Sequence, residues 1–229
     1  MKLIRYGIIL SRLTRNELEL LRFWRNSEQI RQNMIFREEI TPEMQLKWFE
    51  SIDNYNNFFY IIEYKGEKIG LIDNKGTDWN SGSTHSGLFI YEEKYRGTHI
   101  PVAASLILMQ IGYGLLNVRE TRIKVLRENQ IAINYNTHLG FEICNDNPGE
   151  IYVEMIQKRE SFSSLTMKLH QQLVKLTPGK DPYLYLILEP HDWKNGVAQG
   201  VSAELEKVDA DKIIWRKEKN KIITVCMNI

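Results

Sequence analysis

The chain has 229 residues, with 30 basic and 29 acidic side chains and a formal net charge of +1. So even a balance argues against a polybasic nucleic-acid or membrane-surface protein, and no apolar run approaches the ~20 residues that span a bilayer. With 43% apolar and 26% charged residues, the composition is that of a soluble globular protein. Its length suits one large domain, or a domain of about 150 residues with an appendage. Cys144 and Cys226 have neither CxxC spacing nor a histidine cluster, so no metal site is expected and both read as buried thiols. The first residues, interrupted by Arg5 and Arg12, do not form a signal peptide, which leads to the expectation of a cytoplasmic protein.

In chain order, the apolar run Tyr6 to Leu13 reads as a first strand. Thr14 with Glu17 three residues on forms a capping box for a helix carrying Leu18, Leu21, Phe23 and Trp24. A short helix follows at 27–35. Another begins at Thr41-Pro42, with Met44, Trp48, Phe49 and Ile52 as its apolar face. Trp24 and Trp48 are read as core. Strands over 58–64 and 67–75 flank a Lys65-Gly66 turn, and a third strand covers 84–91. A helix runs from about Pro101 to Leu116, a strand over 121–126, and a helix from Asn129 to a Gly140 stop. Two closing strands lie on either side of 145–149. After residue 160 come a helix (161–176), a strand (183–189), a short helix (202–208) and a hairpin turning at Glu218, Lys219 and Asn220. The order implies an α+β fold with mostly antiparallel strands, divided into 1–160 and a C-terminal extension, 161–229.

The stretch Glu92–Gln110 carries the chemistry. A glycine-containing turn, Tyr95-Arg96-Gly97-Thr98, enters a helix directly, which leaves backbone amides unpaired and aligned with the helix dipole. That arrangement suits a phosphate or diphosphate, with Lys94 and Arg96 alongside. It is neither a Walker nor a dinucleotide-binding fingerprint. About thirty residues on come Asn129-x-x-Ala132 and Leu139-Gly140-Phe141. Together with the preceding strand and the amino-terminal Trp24-Arg25-Asn26, Arg31, Gln45 and Trp48-Phe49, this pattern resembles the GNAT N-acetyltransferase superfamily over residues 1 to about 158. The resemblance is to the branch that acetylates amino sugars, of the pseudaminic-acid-pathway type.

That resemblance implies a mixed, mostly antiparallel sheet with a splayed central strand pair between helices, and acetyl-CoA as co-substrate. Backbone groups of Phe89, Ile90 and Tyr91 would hold the pantetheine amides. Residues Arg96, Gly97, Thr98, His99 and Ile100 would cradle the diphosphate, and Asn129 would touch the pantetheine arm. Pro101 has no amide to contribute. The family's proton-donating tyrosine falls at Asn136, so Tyr135, one residue before, becomes the candidate acid. His85 and Ser86 are the candidate catalytic groups of the central strand. Arg25, Asn26 and Arg31 would bind the acceptor, a small amine that is expected to be a nucleotide-linked amino sugar, since arginine pairs well with phosphate. His138 is expected at a helix end, and His170 and His191 at the surface. The alternatives are acetylation of an amino acid, polyamine or protein N-terminus, or a degenerate fold serving as a binding module. The apolar 183–193 segment leads to the expectation of a homodimer formed through the extension.

Overall fold

The structure is a computed structural model. It describes residues 1–177, 182–219 and 222–228, with the backbone alone at 163–166. The amino-terminal run is two strands, not one: β1 (Lys2–Arg5) and β2 (Ile8–Arg12) pair antiparallel. Tyr6 and Gly7 turn between them, both with left-handed backbone (φ 54° and 76°), the primed turn that matches strand twist. The apolar run conceals that turn because Tyr6 is itself buried.

Thr14 and Glu17 form the expected capping box ahead of α1 (Leu18–Asn26). α2 (Glu28–Arg31) is one turn. Thr41 caps α3 (Pro42–Ile52), accepting from the Met44 amide at 3.3 Å. The inward face of α3 carries Gln45 and Phe49, whereas Met44, expected to be inward, is exposed. β3 (Phe58–Tyr64) and β4 (Glu67–Asp78) form the expected hairpin, and β5 (Ser83–Ile90) pairs with β4. α4 (His99–Gly114), β6 (Glu120–Leu126), α5 (Gln130–His138), β7 (Glu142–Asn145) and β8 (Tyr152–Lys158) follow.

Beyond residue 158 lie α6 (Arg159–Leu176), β9 (Leu184–Leu188), α7 (Val197–Leu205), β10 (Ile213–Lys219) and β11 (Ile222–Met227). The Asn220 turn lies outside the described residues. Among the described residues the strands make one eleven-stranded sheet, ordered β10-β11-β9-β1-β2-β3-β4-β5-β6-β8-β7. Every pairing is antiparallel except β5 with β6. The extension therefore continues the sheet beyond β1, with Leu186 opposite Leu3.

α4, α6 and α7 cover one face of the sheet. Leu3, Leu10, Leu106, Leu186, Val201 and Val225 share a single core there. Each fully buried side chain of this kind is worth roughly 1.5–3 kcal/mol. α1 and α3 cover the other face over β3, β4 and β5, through Leu21, Trp24, Phe49, Phe59 and Leu71. Cys144 is exposed on β7, contrary to expectation, and Cys226 is buried on β11 near the other end of the sheet. His170, expected at the surface, is half-buried, with its Nδ1 2.7 Å from the Tyr6 hydroxyl. His191 lies beside the buried Asp192. No helix among the described residues is long and apolar enough to cross a membrane.

Candidate active site

The parallel β5–β6 ladder is short. Ser83, Thr84 and His85 pair with Glu120, Thr121 and Arg122, and pairing then stops. From Ser86 to Ile90 and from Ile123 to Leu126 the two strands no longer pair, while β6 stays paired with β8 on its other edge along its whole length. The gap opens toward the turn that leads into α4. The Tyr91 amide donates to the Ile69 carbonyl at 2.8 Å, so the Tyr91 amide and, two residues earlier, the Phe89 backbone turn to β4. By alternation Leu88 and Ile90 face the gap. Of the expected trio Phe89, Ile90 and Tyr91, only Ile90 faces the gap, and its carbonyl is taken by Arg96, which leaves its amide. The side chains of Phe89 and Tyr91 pack on Trp24, the latter stacked at 5.5 Å.

At the mouth, Thr98 caps α4 and accepts from the Ile100 amide at 3.3 Å. The Arg96 amide donates to the Glu93 carbonyl at 2.9 Å. The expected five-residue amide cradle therefore narrows to Gly97, Thr98 and His99, whose amides have no partner among the described residues. Gly97 has φ 69°, a conformation that disfavours side chains, and a β-carbon there would meet nothing within 4 Å. The His99 ring packs edge-on against Tyr64. The Arg96 guanidinium is engaged: it donates to the Ile90 carbonyl (2.9 Å), the Tyr91 carbonyl (3.0 Å) and Gln29 Oε1 (3.0 Å). Lys94 pairs with Glu67 at 2.7 Å.

Asn129 caps α5, accepting from the Ala132 amide at 3.0 Å, and its side-chain amide reaches Asn33 at 3.1 Å. Arg37 pairs with Glu128 at 3.0 Å. The chain from Gln29 to Arg37 thus touches both arms of the gap, β5 through Arg96 and β6 through Glu128 and Asn129.

Asn26 is tied to both backbone groups of Ile40, at 2.9 Å each, so it fixes the loop before α3 and does not present its amide to an acceptor. Arg31 pairs with Glu28 on the exposed side of its turn. Arg25 points inward. Its Nε is buried without a hydrogen-bond partner, and burial lowers its pKa against the opposing pull of Asp73.

His85 and Ser86, adjacent on β5, face opposite sides of the sheet. Ser86 donates to the Asp73 carbonyl at 2.6 Å and lines a cavity of ≈ 20 Å³ with Asn74, Ser105 and Thr121 under α4. His85 stands on the α1 face, between Lys75 of β4 and Arg122 of β6. Partial burial and the cations Lys75, Lys124 and Arg122 hold its pKa below the usual histidine value. Tyr135 is half-buried with its hydroxyl 2.9 Å from Ser105 of α4, and desolvation raises its pKa. Asp73 was not singled out in the sequence. An acid directly after Gly70-Leu71-Ile72 in an otherwise apolar strand was the available signal.

A profile of the acetyltransferase (GNAT) domain family matches residues 8–142. The chain belongs to the GNAT acetyltransferase family, N-acetyltransferases whose acyl donor is acetyl-CoA. It is 24% identical to a spermidine N(1)-acetyltransferase of Escherichia coli K12 over 170 residues, which is 72% of this chain and 83% of that one. The fold matches a nucleotide-linked sugar GNAT, FdhC, with TM-score 0.64, 15% identity and coverage of 76% of this chain and 98% of that chain. It also matches spermidine N-acetyltransferase of Vibrio cholerae in complex with CoA and spermine, with TM-score 0.62, 15% identity and coverage of 68% and 98%. The residues present suit acetyl-CoA: unpaired amides at the start of a sixteen-residue helix, and a strand gap beside them.

Proposed function

We propose that the chain transfers an acetyl group from acetyl-CoA to the primary amine of a nucleotide-linked amino sugar. The carrying observation is the charge around the apex of the gap on the α1 face. Arg25, Lys75, Arg122 and Lys124 stand there against Asp73, Glu120 and Glu154. Three of those cations are paired with acids; Arg25 is left with its Nε unpartnered. A surplus of positive charge attracts an acceptor that carries phosphate and repels a polycation.

Acetyl-CoA supplies the activated acyl group. The amides of Gly97, Thr98 and His99 hold the diphosphate at the positive end of α4. The Leu88 and Ile90 backbone aligns the pantetheine arm along β5, and Asn129 shapes the opposite wall. Arg25 positions the acceptor, and the helical layer with Trp24 and Tyr91 excludes water from the α1 side.

Likeness to the spermidine enzymes supports a second reading, a polyamine acceptor. Release of free thiol from acetyl-CoA, measured with a panel of amino-sugar nucleotides, spermidine and amino acids, separates the two. The amino-sugar nucleotide is expected to exceed spermidine in kcat/KM by at least ~10-fold, about 1.4 kcal/mol. The reverse order would overturn the first reading. The half-exposed Tyr185 and Ile187 of β9 support a homodimer through the extension. A monomer by sedimentation at micromolar concentration would rule that out.

A further inference from the structure

Asp73 is 5% exposed in the middle of β4. Its Oδ1 lies 3.0 Å from Lys75 Nζ but takes part in no directed hydrogen bond among the described residues. An ionised carboxylate so placed is expensive unless its remaining lone pairs are satisfied. Burial pushes its carboxyl above the usual range, against the pull of Lys75 on its own strand, Arg25 on α1 and His85 on β5. Arg122 and Lys124 of β6 and Glu154 of β8 act on His85 in turn. Two further buried polar atoms of the helical layer on this face, Arg25 Nε and Gln45 Nε2, are also without hydrogen-bond partners.

Opposite Asp73 on β5 stands Gly87. A β-carbon there would lie 3.0 Å from Asp73 Oδ2 and 3.4 Å from Lys75 Nζ. Any side chain at 87 would close over the carboxylate, whereas glycine leaves it open. Gly87 is two residues beyond His85, the last residue of β5 paired with β6, so the opening lies at the apex of the gap.

We propose that Asp73 is the proton acceptor for the attacking amine, reached through the space left by Gly87. This rests on the acyl-transfer reading of the same site. The amine nitrogen bonds to the thioester carbonyl carbon, and one N–H bond breaks with its proton passing to Asp73. The C–S bond breaks with its electron pair leaving on sulfur. The proton held by Asp73 returns through solvent to the thiolate, so the amide and the thiol form and Asp73 is regenerated. Asp73 is largely shielded from solvent, with only the side at Gly87 open, which brings a carboxylate nearer the basicity this step needs.

The test compares the wild type, Asp73→Asn, Gly87→Ala and His85→Gln between about pH 5 and 9, using the best amine from the panel, with acetyl-CoA calorimetry as the control for folding. Asp73→Asn is expected to lower kcat by ~100-fold, abolish the acid limb of the rate profile and leave acetyl-CoA affinity unchanged. Gly87→Ala is expected to lower kcat/KM for the amine by ~10-fold while keeping that limb, so the proposal stays open to refutation even if Asp73→Asn misfolds. His85→Gln should keep the limb. A wild-type-like Asp73→Asn, or loss of the limb in His85→Gln alone, would overturn the proposal with acetyl transfer intact. Failure of the wild type to acetylate any amine would overturn the acyl-transfer reading and the proposal with it.

Discussion

Gly97 and Arg96, neighbours in the sequence, do different work at the mouth of the gap. Gly97 adopts the left-handed backbone that lets the next amides point outward, in open space. Gly97→Ala should therefore weaken acetyl-CoA binding through strain of roughly 1–2 kcal/mol, a 5- to 30-fold rise in Kd by calorimetry. Arg96, whose guanidinium ties the Ile90 and Tyr91 carbonyls to Gln29, holds the end of β5 in place. Tyr135 is a different case from the expected catalytic acid. Its hydroxyl is committed to Ser105, and a phenol whose pKa is raised by burial is a poor proton donor to a thiolate. Tyr135→Phe is expected to cost about 1 kcal/mol in urea denaturation and to leave kcat within about three-fold. A loss near 100-fold with unchanged stability would restore it as the acid.

Helix α4 was legible in advance because a glycine turn precedes a long, mostly apolar run, although it starts at His99 under a Thr98 cap, two residues before the expected Pro101. Replacing Thr98 with Ala removes that cap, and a loss of ~1 kcal/mol in unfolding free energy is expected by urea titration. The caps at Thr14, Thr41 and Asn129 were readable from local chemistry. β1 was not, because nothing in Lys2–Arg5 stands apart from the run that follows until Tyr6 and Gly7 are seen to turn. The candidate site was more legible in its proposed cofactor half, where glycine and helix start are contiguous. It was obscure in the proposed acceptor half, which is assembled across elements: Asp73 from β4, Arg25 from α1 and Gly87 from β5 come together only through the fold. Asn26 looked like a ligand because it adjoins Arg25, yet its partner is a backbone fourteen residues away.

The extension is built into the core rather than hung from it. Leu184, Leu186, Leu188 and Val225 are fully buried among residues of β1, β2 and α4. A chain ending at Glu160 should lose at least ~5 kcal/mol, comparable with a domain's whole stability, and show no cooperative unfolding transition. A cooperative transition in that truncated chain would mean that the first 160 residues fold alone. The whole sheet, with its one parallel pair diverging beside α4, serves to hold a single set of amides at the mouth of the gap. Amide ¹⁵N chemical shifts during titration with coenzyme A test that placement most directly. The largest shifts are expected at Gly97, Thr98 and His99, with smaller ones at Leu88 and Ile90; unmoved signals at 97–99 under saturating coenzyme A would contradict it.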